Sequence, residues 1–437
     1  MKIENCKLKI AFEYNTSMPS LKQRVLYNTF IQFVGRFGTS FLGFVTTVII
    51  ARYLGAAGYG VYAKAYALVA FFYLFVDFGL NAVYIRKYKE DLSHYSTLNA
   101  LRTMFFLMSV LVIGAFLLFT RQTFFQHSEK LIVVLFVPSI LFFGYFTSIN
   151  LLFQLLLRYD LSVIAALVGS AGGLLSMLVA MPFGLPMMVL SLVGGSLLTV
   201  VVGYLLARKY LDVHFFKEPF LIEELWLLMK EAAPVGLMLF LNTMYFRADV
   251  FVLSALKTNA DIGVYQLAYK FFEFPLAFAT FFANAIFPHY VKLYQDNRER
   301  FTSVFTKAMA LLLVASLVFT VGTYFIAPFL VLIKSDYHAS IVPLQILGLS
   351  YPIFFVTSAL TWLLFLQKKE MLLVWVYLVG FVINVIGNLY FIPRYSYLAS
   401  TWMTIVGEGL ILVMLGGILI ANSKLKSTNN KSSLNDK

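Results

Sequence analysis

The sequence predicts an all-α integral membrane protein with twelve transmembrane helices in two six-helix bundles. Of its 437 residues, 60% are hydrophobic and only 13% are charged, about half the charged share of an ordinary soluble domain. The apolar residues form runs of the length that a spanning helix needs, which is about 20 residues. A motif repeated in corresponding runs of the two halves predicts a pseudo-two-fold axis along the membrane normal.

A polar break separates six apolar runs from six more. The first six cover about residues 27–50, 61–82, 101–120, 131–154, 161–181 and 187–207. The second six cover about residues 233–254, 262–287, 305–326, 343–366, 371–392 and 398–421. The predicted domains are an N-terminal segment 1–26, a bundle 27–207, a connector 208–232, a second bundle 233–421 and a tail 422–437.

The repeat joins the second predicted span to the eighth. Residues 263–269 (GVYQLAY) match residues 60–66 (GVYAKAY) in five of seven positions, at an offset of 203 residues. At the same offset, the Asn-Ala pair at 81–82 recurs at 284–285. We therefore expect two homologous halves with the same orientation in the bilayer.

Orientation follows from the basic residues, because cytoplasmic connectors retain positive charge. Of the 34 Lys and Arg residues, 24 fall on the side that holds both termini and six on the other side. The remaining four lie inside predicted spans. The sequence thus predicts a multi-pass protein of the cytoplasmic (inner) cell membrane, with both termini in the cytoplasm.

The segments outside the bundles are polar. Residues 1–26 lack the apolar core of a signal peptide, so the first span is expected to direct insertion, and Met18 is an alternative start to Met1. The connector 208–232 mixes large apolar residues with charges, which predicts an amphipathic segment along the inner membrane face. The tail 422–437, rich in Lys, Ser and Asn, is expected to be disordered.

Composition also excludes several classes of protein. The basic residues behind the net charge of +13 lie mostly in short connectors between apolar runs. This placement indicates orientation in the membrane and not binding to a nucleic acid. The single cysteine, Cys6, excludes an internal disulfide and a cysteine-based metal site. The five histidines form no metal-binding or catalytic pattern, and the chain has no phosphate-binding Walker loop. We therefore expect neither an enzyme nor a bound cofactor or metal.

Four cations lie inside predicted spans, at Arg36, Lys64, Arg247 and Lys270. A charge at bilayer depth costs roughly 2.5–3.5 kcal/mol, so each is a candidate functional residue. Arg36 lies about ten residues into the first span, roughly 15 Å from its inner end, where it either lines a cavity or pairs with Asp77 or another acid. Lys64 lies one turn from the outer end of its span, where it either binds a ligand or snorkels to the interface.

Four acids are the candidates for coupling-ion binding or structural pairing. Lys270 and Glu273 are three residues apart on one predicted helix and can neutralise each other. Arg247 and Asp249 are two apart and point in different directions, so at least one faces a cavity or another helix. Glu408 lies between two glycines near the middle of the last span. Asp77 completes the set.

Several short motifs lie in the two halves of the chain. In the first half these are residues 51–55 (ARYLG), 59–62 (YGVY) and 77–80 (DFGL). In the second half they are residues 247–253 (RADVFVL), 262–265 (IGVY) and 287–288 (FP), with Asn384, Asn388 and 392–393 (IP) in the eleventh span. These stretches resemble the polysaccharide (O-antigen type) flippase family of the multidrug, oligosaccharidyl-lipid and polysaccharide exporter superfamily. The resemblance covers about residues 21–421. It fails at 394–400 (RYSYLAS), where the family usually has glycines and a Gly-Ala-Ala run.

The resemblance implies a flippase for polyprenyl-diphosphate-linked oligosaccharide, working by alternating access in surface polysaccharide biosynthesis. An anionic head group must cross a low-dielectric core, which a central cavity lined by Arg36, Lys64, Arg247 and Lys270 would ease. Energy would come from H⁺ or Na⁺ coupling or from consumption of the product. The implied partners are the lipid-linked glycan, membrane lipids and, functionally, a polysaccharide polymerase and glycosyltransferases.

Two other functions are compatible with the hydropathy. One is a cation-coupled exporter of small amphipathic or drug-like molecules on the same fold. The other is a polysaccharide polymerase or ligase, which would need a long outer loop with catalytic residues, whereas the longest outer connector here, about 327–342, is short. The sequence identifies neither the glycan nor the oligomeric state.

Overall fold

The chain is described here by a computed structural model. It covers residues 21–89, 91–120, 124–211, 214–216, 222–367 and 369–435, and these residues contain helices and no strand. The first-half helices are α1 (Leu21–Asp77), α2 (Leu80–Tyr88), α3 (Tyr95–Phe119), α4 (His127–Phe136), α5 (Pro138–Leu155), α6 (Tyr159–Ala180) and α7 (Leu185–Tyr210). The second-half helices are α8 (Ile222–Leu256), α9 (Asn259–Asp296), α10 (Arg298–Ile326), α11 (Ile341–Gly348), α12 (Tyr351–Leu366), α13 (Glu370–Tyr395) and α14 (Tyr397–Asn435). Short 3-10 turns cover Met181–Phe183, Ala327–Leu332 and Ser335–Ser340.

The fold is that of a multi-pass membrane protein. Among the described residues, nine helices are long and apolar enough to cross a bilayer. A tenth span forms if Ser335–Gly348 and Tyr351–Leu366, which meet at a bend of 46°, are counted together. Most of these helices expose large apolar side chains, as expected of helices whose solvent is lipid.

Helix α1 is a single element of 57 residues in which the sequence predicts two spans, 27–50 and 61–82. The two predicted spans are joined without a loop, because the chain turns at one residue: Gly55 has φ 72° and ψ −177° inside an otherwise helical run. A second break follows Asp77, where Phe78 and Gly79 adopt φ values of 43° and 69° before α2 begins. A left-handed backbone costs glycine little, so these two glycines allow both breaks.

The structure divides into two compact units. The first unit contains Met1–Leu54 and Val61–Phe240, and the second contains Gly55–Gly60 and Leu241–Lys437. In the first unit, α6 and α7 approach closely because Gly173 and Gly195 face each other. In the second unit, α8, α12, α13 and α14 enclose an apolar cluster made by Tyr245, Leu364, Leu373, Val376, Ile411 and Leu415.

Two segments outside the predicted bundles differ from expectation. The last part of the predicted amphipathic connector, from Ile222 onward, forms the first turns of α8. Helix α14 continues to Asn435, so the described part of the tail predicted to be disordered is helical. Residues 422–435 contain neither glycine nor proline, and extending an existing helix avoids the cost of nucleating a new one.

Candidate functional site

Three charged side chains meet in the second unit, between α8 and α9. Arg247 Nη2 lies 3.3 Å from Glu273 Oε1, and Lys270 Nζ lies 3.3 Å from Glu273 Oε2. We call these three residues the charged triad. The exposed fractions of the side chains are 26% for Arg247, 30% for Glu273 and 36% for Lys270.

The charged triad combines a pair that the sequence suggests with a third member that it does not. The spacing of Lys270 and Glu273 predicts their contact, whereas Arg247 joins from another helix. The three formal charges sum to +1. A carboxylate shared by two cations lowers the cost of holding them in an apolar surrounding, and all three side chains stay partly accessible to a ligand. Their role in binding stays a prediction.

Asp249 lies two residues from Arg247 but has different partners. Its carboxylate accepts hydrogen bonds from the Tyr265 hydroxyl and from the backbone N–H of Val250, 2.8 Å away. Only 4% of Asp249 is exposed. The acid is thus held by neutral donors inside the second unit.

Glu408 on α14 is the second buried acid of this unit, with 4% exposed. The Tyr245 hydroxyl donates to its Oε2 at 3.0 Å, and the Thr357 hydroxyl donates to its Oε1. The neighbouring Gly407 leaves room for the tyrosine, since a Cβ there would lie 3.1 Å from the Tyr245 oxygen. Hydroxyl groups can serve either form of a carboxyl group by rotating. A coupling role for Glu408 stays a prediction.

In the first unit, Arg36 is exposed and forms no ion pair with any acid of the described residues. The pairing of Arg36 with Asp77, which the sequence leaves open, is not formed. Asp77 instead lies 3.8 Å from Arg102 Nη2. The reason is the break after Asp77, which turns the end of α1 toward α3.

Arg102 is a buried cation that the hydropathy pattern does not indicate. It is fully buried and donates to the carbonyl of Gly144, to the Thr147 hydroxyl and, at 2.7 Å, to the side-chain oxygen of Asn81. Its position at the start of a predicted span assigned it to a cytoplasmic connector. The polar residues Asp77 and Asn81, four apart around a glycine, are the signal that could have indicated a buried partner.

Lys64 is buried, with 4% exposed. Its ammonium donates to Glu129 at 2.8 Å and to the Phe124 carbonyl at 2.7 Å, and lies 4.7 Å from the centre of the Phe125 ring. The snorkelling alternative is therefore wrong, because a snorkelling lysine keeps its ammonium in water. Ligand binding by Lys64, which would need Glu129 to give way, stays a prediction.

No metal centre is formed by the side chains that the structure describes, since nowhere do three His, Cys, Asp or Glu residues come together. Cys6 lies outside the described residues.

Two family models match the chain. The model described as "Polysaccharide biosynthesis protein" matches residues 25–294, and the MatE model matches residues 234–390. No curated protein sequence matches the chain.

Solved structures with the same fold include a lipid II flippase, MurJ, in an inward closed conformation. It has a TM-score of 0.75 at 16% identity, covering 87% of this chain and 86% of that one. An inward-facing multidrug resistance MATE family transporter of the MOP superfamily has a TM-score of 0.71 at 13% identity, covering 89% and 96%. A MOP superfamily transporter from Pyrococcus furiosus has a TM-score of 0.58 at 12% identity, covering 92% and 96%.

At these identities the solved structures establish the fold, and the family model, which spans more than half of the sequence, establishes the family. The chain belongs to the polysaccharide biosynthesis protein family, the flippase branch of the multidrug, oligosaccharidyl-lipid and polysaccharide exporter superfamily, whose members are transporters and not enzymes.

Proposed function

We propose that this protein is a flippase that moves a polyprenyl-diphosphate-linked oligosaccharide from the inner to the outer leaflet for surface polysaccharide biosynthesis. Family membership supports the class of cargo. The observation that carries the proposal within the structure is the charged triad, which keeps two cations partly exposed on otherwise apolar helices. The lipid II flippase with the same fold is named for a lipid cargo.

The charged triad suits an anionic head group for a physical reason. A diphosphate offers several oxygens, and the planar guanidinium of Arg247 can bind two of them at once. Lys270 adds a compact charge at the other oxygen of the Glu273 carboxylate. When no cargo is present, Glu273 compensates both cations, so binding exchanges one anionic partner for another and stays reversible. Arg36, exposed in the middle of its predicted span, is the proposed cation of the first unit.

Asp249 and Glu408 are the proposed coupling residues. Both are buried acids held by tyrosine hydroxyls, and each could take up H⁺ or Na⁺ when its donors reorient. Consumption of the flipped product by a polymerase is the other proposed driving force for net transport to the outer leaflet. Polymerase and glycosyltransferases are thus proposed functional partners, and genes for them beside this one would favour the glycan as cargo.

We also propose the full twelve-span topology. Ten spans are counted above. Phe30–Tyr88 is counted once among the ten but contains two predicted spans, 27–50 and 61–82. Helix α9 contains the predicted span 262–287 and is not among the ten. Counting these gives twelve crossings, and the sequence repeat favours the pseudo-two-fold axis between the homologous halves.

Reporter fusions test the proposed topology. A reporter fused after Lys369 is expected to be active as a cytoplasmic fusion, because positive charge marks the inner side. One inserted within 334–338 is expected to be external. The measurement is paired alkaline phosphatase and fluorescent-protein activity, and an external Lys369 fusion would overturn the scheme.

The alternative function, export of small amphipathic or drug-like molecules, is separated from the flippase by the phenotype of a deletion strain. We expect the strain to lose surface polysaccharide and to accumulate the lipid-linked oligosaccharide with its sugar facing the cytoplasm. Glycan immunoblots and extraction of the lipid intermediate measure this. Normal glycan with increased drug sensitivity would favour the exporter instead.

A further inference from the structure

A six-residue piece of α1 belongs to the second unit, although the helix on both sides of it belongs to the first. The piece is Gly55–Gly60, and we call it the clasp segment. It begins at the left-handed Gly55, where the helix of α1 is interrupted and restarts. Two features of the second unit hold it.

The first feature is a reciprocal contact between the two copies of the repeated motif. A Cβ built on Gly60 would overlap the carbonyl of Asn259 and lie 3.0 Å from the Gly263 nitrogen. A Cβ built on Gly263 would overlap the carbonyl of Ala56 and lie 3.1 Å from the Gly60 nitrogen. Each glycine thus meets the carbonyl four residues before the other glycine. This is the exchange of equivalent contacts that a local two-fold axis generates.

The second feature is a carboxylate at the restart of the helix. The backbone N–H of Ala56 donates to Asp336 Oδ2 at 3.4 Å. A Cβ on Gly55 would lie 2.6 Å from that same oxygen and 2.9 Å from Lys334 Nζ. Asp336 thus caps a backbone donor that the interrupted helix leaves unpaired. The turn that carries it, Ser335–Ser340, is itself fixed to α9, because the Ser340 hydroxyl donates to the Val264 carbonyl at 2.8 Å.

We propose that the contacts of the clasp segment with α9 and Asp336 must break and re-form in each transport cycle. The contact is suited to separation because glycine-lined backbones meet without interlocking large side chains, and the capping bond is long enough for water to replace it. Gly55 supplies the point of bending, since its left-handed backbone can change at little cost. The proposal rests on the chain being a transporter, but not on which cargo it carries.

Cross-linking tests whether release is required. Because Asp336 Oδ2 lies 3.4 Å from the backbone nitrogen of Ala56, we place the two cysteines at these neighbouring positions. The variant is Ala56→Cys with Asp336→Cys on a Cys6→Ser background, with each single cysteine as control. We expect oxidation to form the disulfide and to abolish surface glycan, and a membrane-permeant reductant to restore it. A disulfide that does not form, or one that leaves export normal, overturns the proposal.

A second test needs neither cargo nor export, so it separates failure of the clasp from failure of the proposed function. It measures the rate at which a thiol reagent labels Ala56→Cys, a position 5% exposed, in purified protein lacking Cys6. Adding Gly60→Ala forces a Cβ against Asn259 and is expected to raise the labelling rate at least about tenfold. The matched control is Gly43→Ala on the same helix, where a Cβ meets nothing within 4 Å. Equal labelling rates in the Gly60→Ala and Gly43→Ala proteins would show that the segment is not held by this contact.

Discussion

Replacing Arg102 by methionine is expected to lower the free energy of unfolding by about 3 kcal/mol, at the lower end of the cost of breaking a buried ion pair. The guanidinium is wholly buried and serves four partners from three helices, α1, α2 and α5. Methionine fills similar space but leaves the Asn81 side-chain oxygen without its donor and Asp77 without its cation. The Gly144 carbonyl still accepts from the Thr147 hydroxyl. Unsatisfied buried acceptors cost about 1–3 kcal/mol each.

The measurement is chemical unfolding in detergent micelles, followed by intrinsic fluorescence. Arg86→Met is the matched control, because Arg86 is 68% exposed and its ion pair with Glu231 is long, at 3.9 Å. Exposed pairs of this kind contribute about 0–1 kcal/mol. Arg102→Lys is expected to fall between the two, since the charge survives but the fork of donors does not. An unfolding midpoint of Arg102→Met equal to that of Arg86→Met would contradict the structural role.

Arg102 also shows where sequence reasoning stops. Hydropathy locates apolar runs, and basic residues at their ends are counted as cytoplasmic. Arg102 is one residue inside such a run, so the count assigned it to a connector. The left-handed residues after Asp77 turn the chain, so that Asp77 and Asn81 both contact Arg102. No periodic pattern in the sequence predicts that tertiary contact.

Local pairs, by contrast, could be predicted. The spacing of Lys270 and Glu273 predicts a shared helix face, and the structure places the two at 3.3 Å. The membrane class likewise follows from the apolar runs, because runs of about 20 apolar residues match the thickness of a bilayer. The pairing of Asp77 with Arg102 instead of Arg36 could not be predicted, because the sequence offers Asp77 several cations and no spacing rule ranks them.

The sequence repeat could be predicted from the sequence only in part. Matching 60–66 with 263–269 requires only counting. That Gly60 and Gly263 meet requires the structure, because equivalent residues of a repeat need not touch. Their reciprocal contact gives the two repeated glycines a packing reason that the repeat alone does not supply.

Reversing the charge at Lys270 is expected to abolish glycan export while the protein remains folded and inserted. Lys270→Glu would place a second carboxylate beside Glu273, where the ammonium now lies at 3.3 Å. Two like charges about 4 Å apart repel by about 4 kcal/mol at an effective dielectric constant near 20. Arg247 alone cannot compensate both, and an anionic head group would meet net negative charge. Because the Lys270 side chain is 36% exposed, the new carboxylate can turn toward water, so we expect folding to survive.

The assay is surface glycan production relative to the amount of protein in the membrane. Lys292→Glu is the matched control, since it makes the same change at an exposed position of the same helix, α9, and is expected to export normally. Lys270→Ala should reduce export less than Lys270→Glu.

The double variant Lys270→Ala with Glu273→Ala distinguishes a binding role of the charged triad from a purely structural one. A binding role predicts normal protein amounts and impaired export in the double variant, because the cation is still missing. A purely structural pair predicts low amounts in Lys270→Ala and recovery of both amount and export when Glu273 is also removed. Normal export by stable Arg247→Ala and Lys270→Ala proteins would rule out the charged triad as the site of the diphosphate.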